Sequence, residues 1–238
     1  MHKQRICLLA IASLMLLFVA AARKQVRAQA KQPAYPAMAP ESQYLMPDKD
    51  SEIALARSAA PASIATGAEV EVLGPGGYTV AAAGTNGFIC LVERGFAAAT
   101  NDPVFWNPKI RGPVCVNAPA ARTYLPSVLM KAKLALQGKS KEEIAQAVKS
   151  AMASKRLPAL EPEAMSYMMS KQQFLNDDAR NWHPHIMLFV AGDQTKSWGA
   201  DRPDSPVMAA YDSDDRMTTF FFWVENWSDG SPAPHDMH

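Results

Sequence analysis

The sequence predicts an α+β domain, and three observations predict it. Strand-like and helix-like stretches are segregated along the chain instead of alternating, which argues against the repeated strand-helix-strand units of a parallel sheet. Turns rich in Gly, Asn and Pro separate the strand-like runs. Two consecutive stretches with apolar residues at helical spacing stand mid-chain. The expected order is an N-terminal short helix and three-stranded meander, a helical hairpin, then a C-terminal mainly antiparallel sheet.

The first helix takes Asp50 or Ser51 as its cap, continues through Glu52, Ile53, Leu55 and Ala56, and is ended by Pro61. Strands are expected at 70–73, 78–82 and 88–92, with glycine-rich turns between them, and the Asn86-Gly87 pair favours the positive φ angles of a tight hairpin. The glycines at 74–77 lack the spacing of a phosphate loop, and no helix follows them. A loop holding Pro103, Trp106, Pro108 and Pro113 then reaches Cys115. The next helix starts near Pro126 and stops at Gly138, residue types suited to the first helical turn and to the position just past a helix end. Its successor opens at Ser140 with Glu143 three residues on, a capping box, and puts Ile144, Val148 and Met152 on one face. Four more strands are expected at 164–169, 185–191, 207–211 and 218–224; the run 186–190 is apolar on both faces and belongs at the sheet centre.

The chain begins with a short basic segment followed by 17 uncharged, mostly apolar residues at 6–22. That is marginal for crossing a bilayer, which takes about 20 apolar residues, and suits an export signal. Residues 1–30 are read as a cleavable signal peptide with small-x-small sites at Ala20-Ala21-Ala22 and Ala28-Gln29-Ala30, the second preferred because Arg23-Lys24 follow the first at once; an uncleaved anchor is the alternative, and the only membrane contact expected. Residues 31–47, with four prolines, read as a disordered tether, 48–230 as one globular domain, and 231–238 as a flexible tail. The predicted location is the periplasm or the medium.

Of the 24 Lys and Arg, five lie in residues 1–30, which hold none of the 23 Asp and Glu, so the processed chain carries a net charge near minus four. An acidic, mixed surface argues against nucleic acid, which needs clustered positive charge. Cys90 and Cys115 alone remain after processing, and an even pair in an exported chain reads as a disulfide, with two buried thiols as the alternative.

Only one motif points to metal chemistry. His183 and His185 flank Pro184, and at i and i+2 on extended backbone two imidazoles point the same way; with Asp178 (or Asp177) as a third ligand they would suit a divalent ion such as zinc, leaving a position for reactive water. Hydrogen-bonded structural histidines and metal-free acid-base catalysis are the alternatives. Five tryptophans fall in expected loops and strand ends, and Trp182 with His185 marks a candidate ligand groove. Glu93 and Glu225 are possible acid-base groups, and no serine sits on a glycine-flanked elbow.

The strings at 85–94, 167–171, 182–187 and 227–230 (TNGFICLVER, YMMSK, WHPHIM and WSDG) resemble those of a group of bacterial exported proteins with no assigned function. The resemblance spans most of residues 50–230; it implies a bacterial origin and an extracytoplasmic location and carries no activity or site residues with it. The expected role is a binding or accessory domain of the envelope that takes a small ligand or an envelope component. The rival is a small metal-dependent hydrolase using His183 and His185.

Overall fold

A computed structural model describes residues 34–178 and 182–234, so the expected signal peptide at 1–30 and the end of the expected tail, residues 235–238, lie outside the described residues. The helices are α1 (Lys49–Arg57), α2 (Ala62–Ala65), α3 (Ala118–Thr123), α4 (Leu125–Leu136) and α5 (Lys141–Ala153). The strands are β1 (Glu69–Gly74), β2 (Gly77–Ala82), β3 (Ile89–Glu93), β4 (Gly112–Val116), β5 (Met165–Met168), β6 (His185–Ala191), β7 (Met208–Asp212) and β8 (Met217–Trp223). All eight strands join one sheet in the order β2-β1-β3-β4-β5-β6-β8-β7, antiparallel except where β1 runs alongside β3. Over the described residues the fold is therefore mixed, with five α-helices and a mostly antiparallel sheet.

Local chemistry sets the helix ends. The Asp48 side chain accepts the Ser51 amide at 2.7 Å, so α1 begins earlier than a cap at Asp50 or Ser51 would place it. Asn117 caps α3, and Ser140 and Glu143 close a reciprocal capping box on α5. Gly138, at φ 76°, supplies the left-handed residue past the end of α4.

The expected meander is corrected. β2 hairpins back onto β1, but the chain then crosses over, so β3 pairs with β1 on its other side and in parallel. Asn86 does not turn a hairpin here: its side chain donates to Ile64 O at 2.7 Å and accepts the Phe88 amide, tying the connection to α2. Gly84 allows the crossing, because a Cβ there would collide with the Glu69 backbone. β4 falls where a loop was expected. Its run of Pro113, Val114, Cys115 and Val116 is fully buried, and the proline masked it, since proline is uncommon inside a sheet.

Side-chain alternation divides the core between the two sheet faces. Leu91, Val114, Val116, Met187 and Phe189 pack with Leu125 and Val128 of α4, while Val70, Cys90, Val92 and Cys115 pack with Leu55, Ala56 and Ala59 around α1. Each large apolar side chain removed from water this way contributes about 1.5–3 kcal/mol. Cys90 and Cys115 face each other across β3 and β4 and form a disulfide, with Cα atoms 4.0 Å apart. Closing that 25-residue separation removes unfolded-state freedom worth about 3–4 kcal/mol.

Both flanking segments differ from expectation in part. Tyr44, inside the expected tether, is completely buried; its hydroxyl donates to Trp106 O at 2.9 Å and its carbonyl accepts from Arg94. One aromatic ring with a buried hydroxyl partner is enough to hold the proline-rich run down. Near the other end, Ala233 N donates to Glu225 O at 2.8 Å and Pro232 bridges Asn226, so the start of the expected tail is pinned as well. Among the described residues no helix is long and apolar enough to cross a membrane.

Candidate functional site

The sheet face that carries α4 also carries a cavity of about 480 Å³. Period two puts three residues of β6 (His185, Met187, Phe189) and three of β8 (Met217, Thr219, Phe221) on its floor. The walls come from the loop 94–104, from Leu175, Asn176 and Trp182, and from Tyr124 at the junction of α3 and α4. The loop closes tightly because Gly95 leaves no room for a side chain; a Cβ would stand 2.8 Å from Phe105 O and nearer still to Val104 O. A concave site of this volume with aromatic side chains and convergent polar groups suits a small ligand.

The aromatic side chains of the cavity form two groups. Tyr124 stacks on Phe189 with centroids 4.2 Å apart, and Trp182 meets His185 edge-on at 4.8 Å and Phe221 at 5.5 Å. Trp182 holds a left-handed backbone, φ 33°, a conformation costing about 1–3 kcal/mol in a non-glycine residue. Strain of that kind concentrates where a side chain must be aimed.

The polar groups fall into two sets. Glu93 ends β3 on the cavity face, is 8% exposed, and accepts one hydrogen bond, from the Tyr124 hydroxyl at 2.8 Å. Burial pushes its carboxyl up to about 7, with the Tyr124 bond and Lys131 offsetting part of the rise. At the β7–β8 turn, the fully buried Lys131 donates to Asp215 at 2.8 Å and to the carbonyls of Ala97 and Ala98, with Asp212 at 3.8 Å. Burial alone would raise Asp215, but Lys131 and a short hydrogen bond from Ser127 outweigh it and hold the carboxyl low. Asp212 goes the other way: its burial dominates, and its carboxyl is raised.

The Glu93 shift has a measurable consequence. Its ordinary value is 4.5 and its native one about 7, so the native state keeps a proton that the unfolded chain releases between those pH values. Stability is full below the lower value and declines as pH rises to the upper one, by roughly 3 kcal/mol at ~1.36 kcal/mol per pH unit. Glu93→Gln keeps an acceptor for Tyr124 and removes that decline. Urea unfolding should show the variant equal to the parent at pH 5 and more stable at pH 8; identical pH profiles would contradict the assignment.

Comparison with protein-family models, with curated sequences and with solved structures finds no match to this chain.

Trp182 and His185, expected beside a groove, both line the cavity. The expected metal set is not brought together. His185 turns Nδ1 onto the His183 carbonyl at 2.7 Å, His183 stacks on Trp223 at 4.7 Å, Asp178 is exposed, and Asp177 pairs with Lys109 at 2.6 Å. Among the described residues no three His, Cys, Asp or Glu groups stand close enough to hold a metal ion, zinc included. Burial also drives His185 down to about 4, so the ring is neutral in the physiological range. Of the two acid-base glutamates, Glu225 is exposed and away from the cavity, whereas Glu93 lies in its wall.

Sequence reasoning passed over Lys131, Asp212 and Asp215. The available signal was Lys131 itself, a charge within the apolar stripe of Val128, Ala132 and Ala135, where a buried partner was needed.

Proposed function

We propose that the chain is a small-molecule-binding domain exported by a bacterium to the periplasm or the cell exterior, working there as a binding or accessory component of the envelope. The basic and apolar leader and the disulfide between Cys90 and Cys115 support the location, because disulfides persist in oxidising compartments. The cavity of about 480 Å³ between the β6–β8 face and the loop 94–104 carries the functional reading. Its floor belongs to two strands paired on both sides, β6 and β8, so the site is formed before a ligand arrives and little ordering is needed on binding. For the rival reading, a metal-dependent hydrolase, no third ligand stands with His183 and His185 among the described residues.

A ligand that binds only the folded state raises its melting temperature, by an amount set by RT ln(1 + [L]/Kd). A fragment library of flat aromatic compounds screened against the processed protein should contain members that raise Tm. Thr219→Trp, which fills the cavity from the middle of β8, should abolish those shifts while still unfolding cooperatively. A library without a stabilising compound, or shifts that persist in Thr219→Trp, would defeat the reading.

A further inference from the structure

We propose that the cavity takes an organic cation, an amine or quaternary ammonium carried on a flat apolar body. The inference rests on the reading of the cavity as a binding site and adds the chemical class of its ligand.

The polar groups of the wall differ in what they have left to offer a ligand. Four side chains there are both polar and more than nine-tenths buried: Glu93, Arg94, His185 and Asp215, the last already held by Lys131 and Ser127. Arg94 is fully engaged elsewhere, donating Nε to Tyr44 O at 2.6 Å, Nη2 to Glu52 at 2.9 Å, and Nη1 to Val92 O. His185 donates from Nδ1 to the His183 carbonyl, so its neutral ring keeps Nε2 as an acceptor without a partner among the described residues. Glu93 accepts from Tyr124 through Oε1 alone, and Oε2 has no partner among the described residues. The unused capacity at the floor of this cavity is therefore acceptor capacity. The nearby cation offers no counterweight, because the three donors of Lys131 are taken by Ala97 O, Ala98 O and Asp215.

Charge points the same way. The Lys131 ammonium stands against two carboxylates, Asp215 and Asp212, and Asp102 adds a third acid to the wall. With Glu93 included, the site is acidic. Around it stand the faces and edges of Tyr124, Trp182, Phe189 and Phe221, and aromatic faces attract desolvated cations by about 2 kcal/mol. An anion would meet the carboxylates of Asp102, Asp212 and Asp215 and, above pH 7, that of Glu93, and a body without a donor would leave Glu93 and His185 unmatched at a cost of about 1–3 kcal/mol per buried group.

Such a ligand also fixes the sign of a pH effect. Around Glu93 stand Tyr124 at the α3–α4 junction, Lys131 from α4, Tyr78 from β2, Asp212 at the end of β7 and Asp215 in the turn after it, Arg94 next to it in the chain, and the neutral His185 of β6. Glu93 is half protonated near pH 7, and a bound cation favours the carboxylate. Binding must then release a proton below that pH, and affinity falls about tenfold per pH unit.

Three probes of nearly the same shape test this: tryptamine as the cation, tryptophol as the neutral form and indole-3-acetate as the anion. Calorimetric titration of the processed protein at pH 8 should find tryptamine at least tenfold tighter than tryptophol, with indole-3-acetate weakest. Moving to pH 6 should weaken tryptamine about tenfold and leave tryptophol in place. Glu93→Gln should cost tryptamine at least tenfold and tryptophol far less, which also shows that the variant is folded. Tryptophol or indole-3-acetate binding as tightly as tryptamine would overturn the cation assignment and leave the cavity reading standing. Silence from all three, together with an aromatic library that stabilises nothing, would overturn both.

Discussion

Arg94→Met is expected to lower the stability of the protein by about 3–5 kcal/mol, the largest effect of any single side chain on the N-terminal half of the sheet. The Arg94 side chain is completely buried and its partner Glu52 is 3% exposed, with Nη2 and Oε1 2.9 Å apart. The same Glu52 oxygen accepts the Leu73 amide at 3.1 Å, and Arg94 reaches the carbonyls of Tyr44 and Val92. One guanidinium thus joins α1, β1, β3 and the segment before α1, and only arginine's planar fork can serve these acceptors together. Methionine fills the volume but strands the Glu52 carboxylate in a dry interior, which costs more than the pair itself contributes. Chemical denaturation measures it, and Arg94→Met with Glu52→Leu should recover much of the loss. A single-variant loss below about 1 kcal/mol would show that water reaches Glu52.

Lys131→Met should cost a similar amount, about 3–5 kcal/mol, for a related reason with a different reach. It leaves Asp215 with Ser127 alone and leaves the Ala97 and Ala98 carbonyls without the ammonium that fills them. Those two carbonyls belong to the loop that walls the cavity, and Asp215 belongs to the turn opposite, so the substitution should loosen both walls at once. The acid response should change too. Asp215 is held below the ordinary carboxylate range in the parent, so it adds stability that is complete above that range and lost as pH falls through it. In Lys131→Met burial acts unopposed by the ammonium, and that acid-side loss should shrink or reverse. Denaturation curves at pH 3 and pH 7 separate the cases; an unchanged difference between the two pH values would mean that Lys131 does not set the Asp215 charge.

The sequence made much of the local structure legible and little of the tertiary arrangement. Strand β6 was readable because its apolar run is continuous on both faces, and α5 because Ser140 and Glu143 sign its start. The disulfide was readable from cysteine count and compartment. Topology was not: the crossover after β2 depends on Gly84 lying against Glu69 and on Asn86 reaching Ile64, contacts between segments that no local propensity encodes. The same holds for the cavity. Lys131 and Asp215 are 84 residues apart, and Glu93 and Tyr124 are 31 apart. His183 and His185 looked like a metal pair because extended backbone would align them, but a hydrogen bond from His185 to the carbonyl two residues back, and stacking on tryptophan, turn the rings to other work.

Methyl NMR of the methionines tests the central claim most directly, because Met168, Met187 and Met217 line the cavity while Met130 and Met152 pack between α4 and α5. Titrating a stabilising aromatic compound should shift the first three methyl signals together, with one saturating dissociation constant, and leave the other two unmoved. Shifts confined to Met130 and Met152, or no shift at Met187 at the centre of the floor, would contradict a ligand site on this face of the sheet.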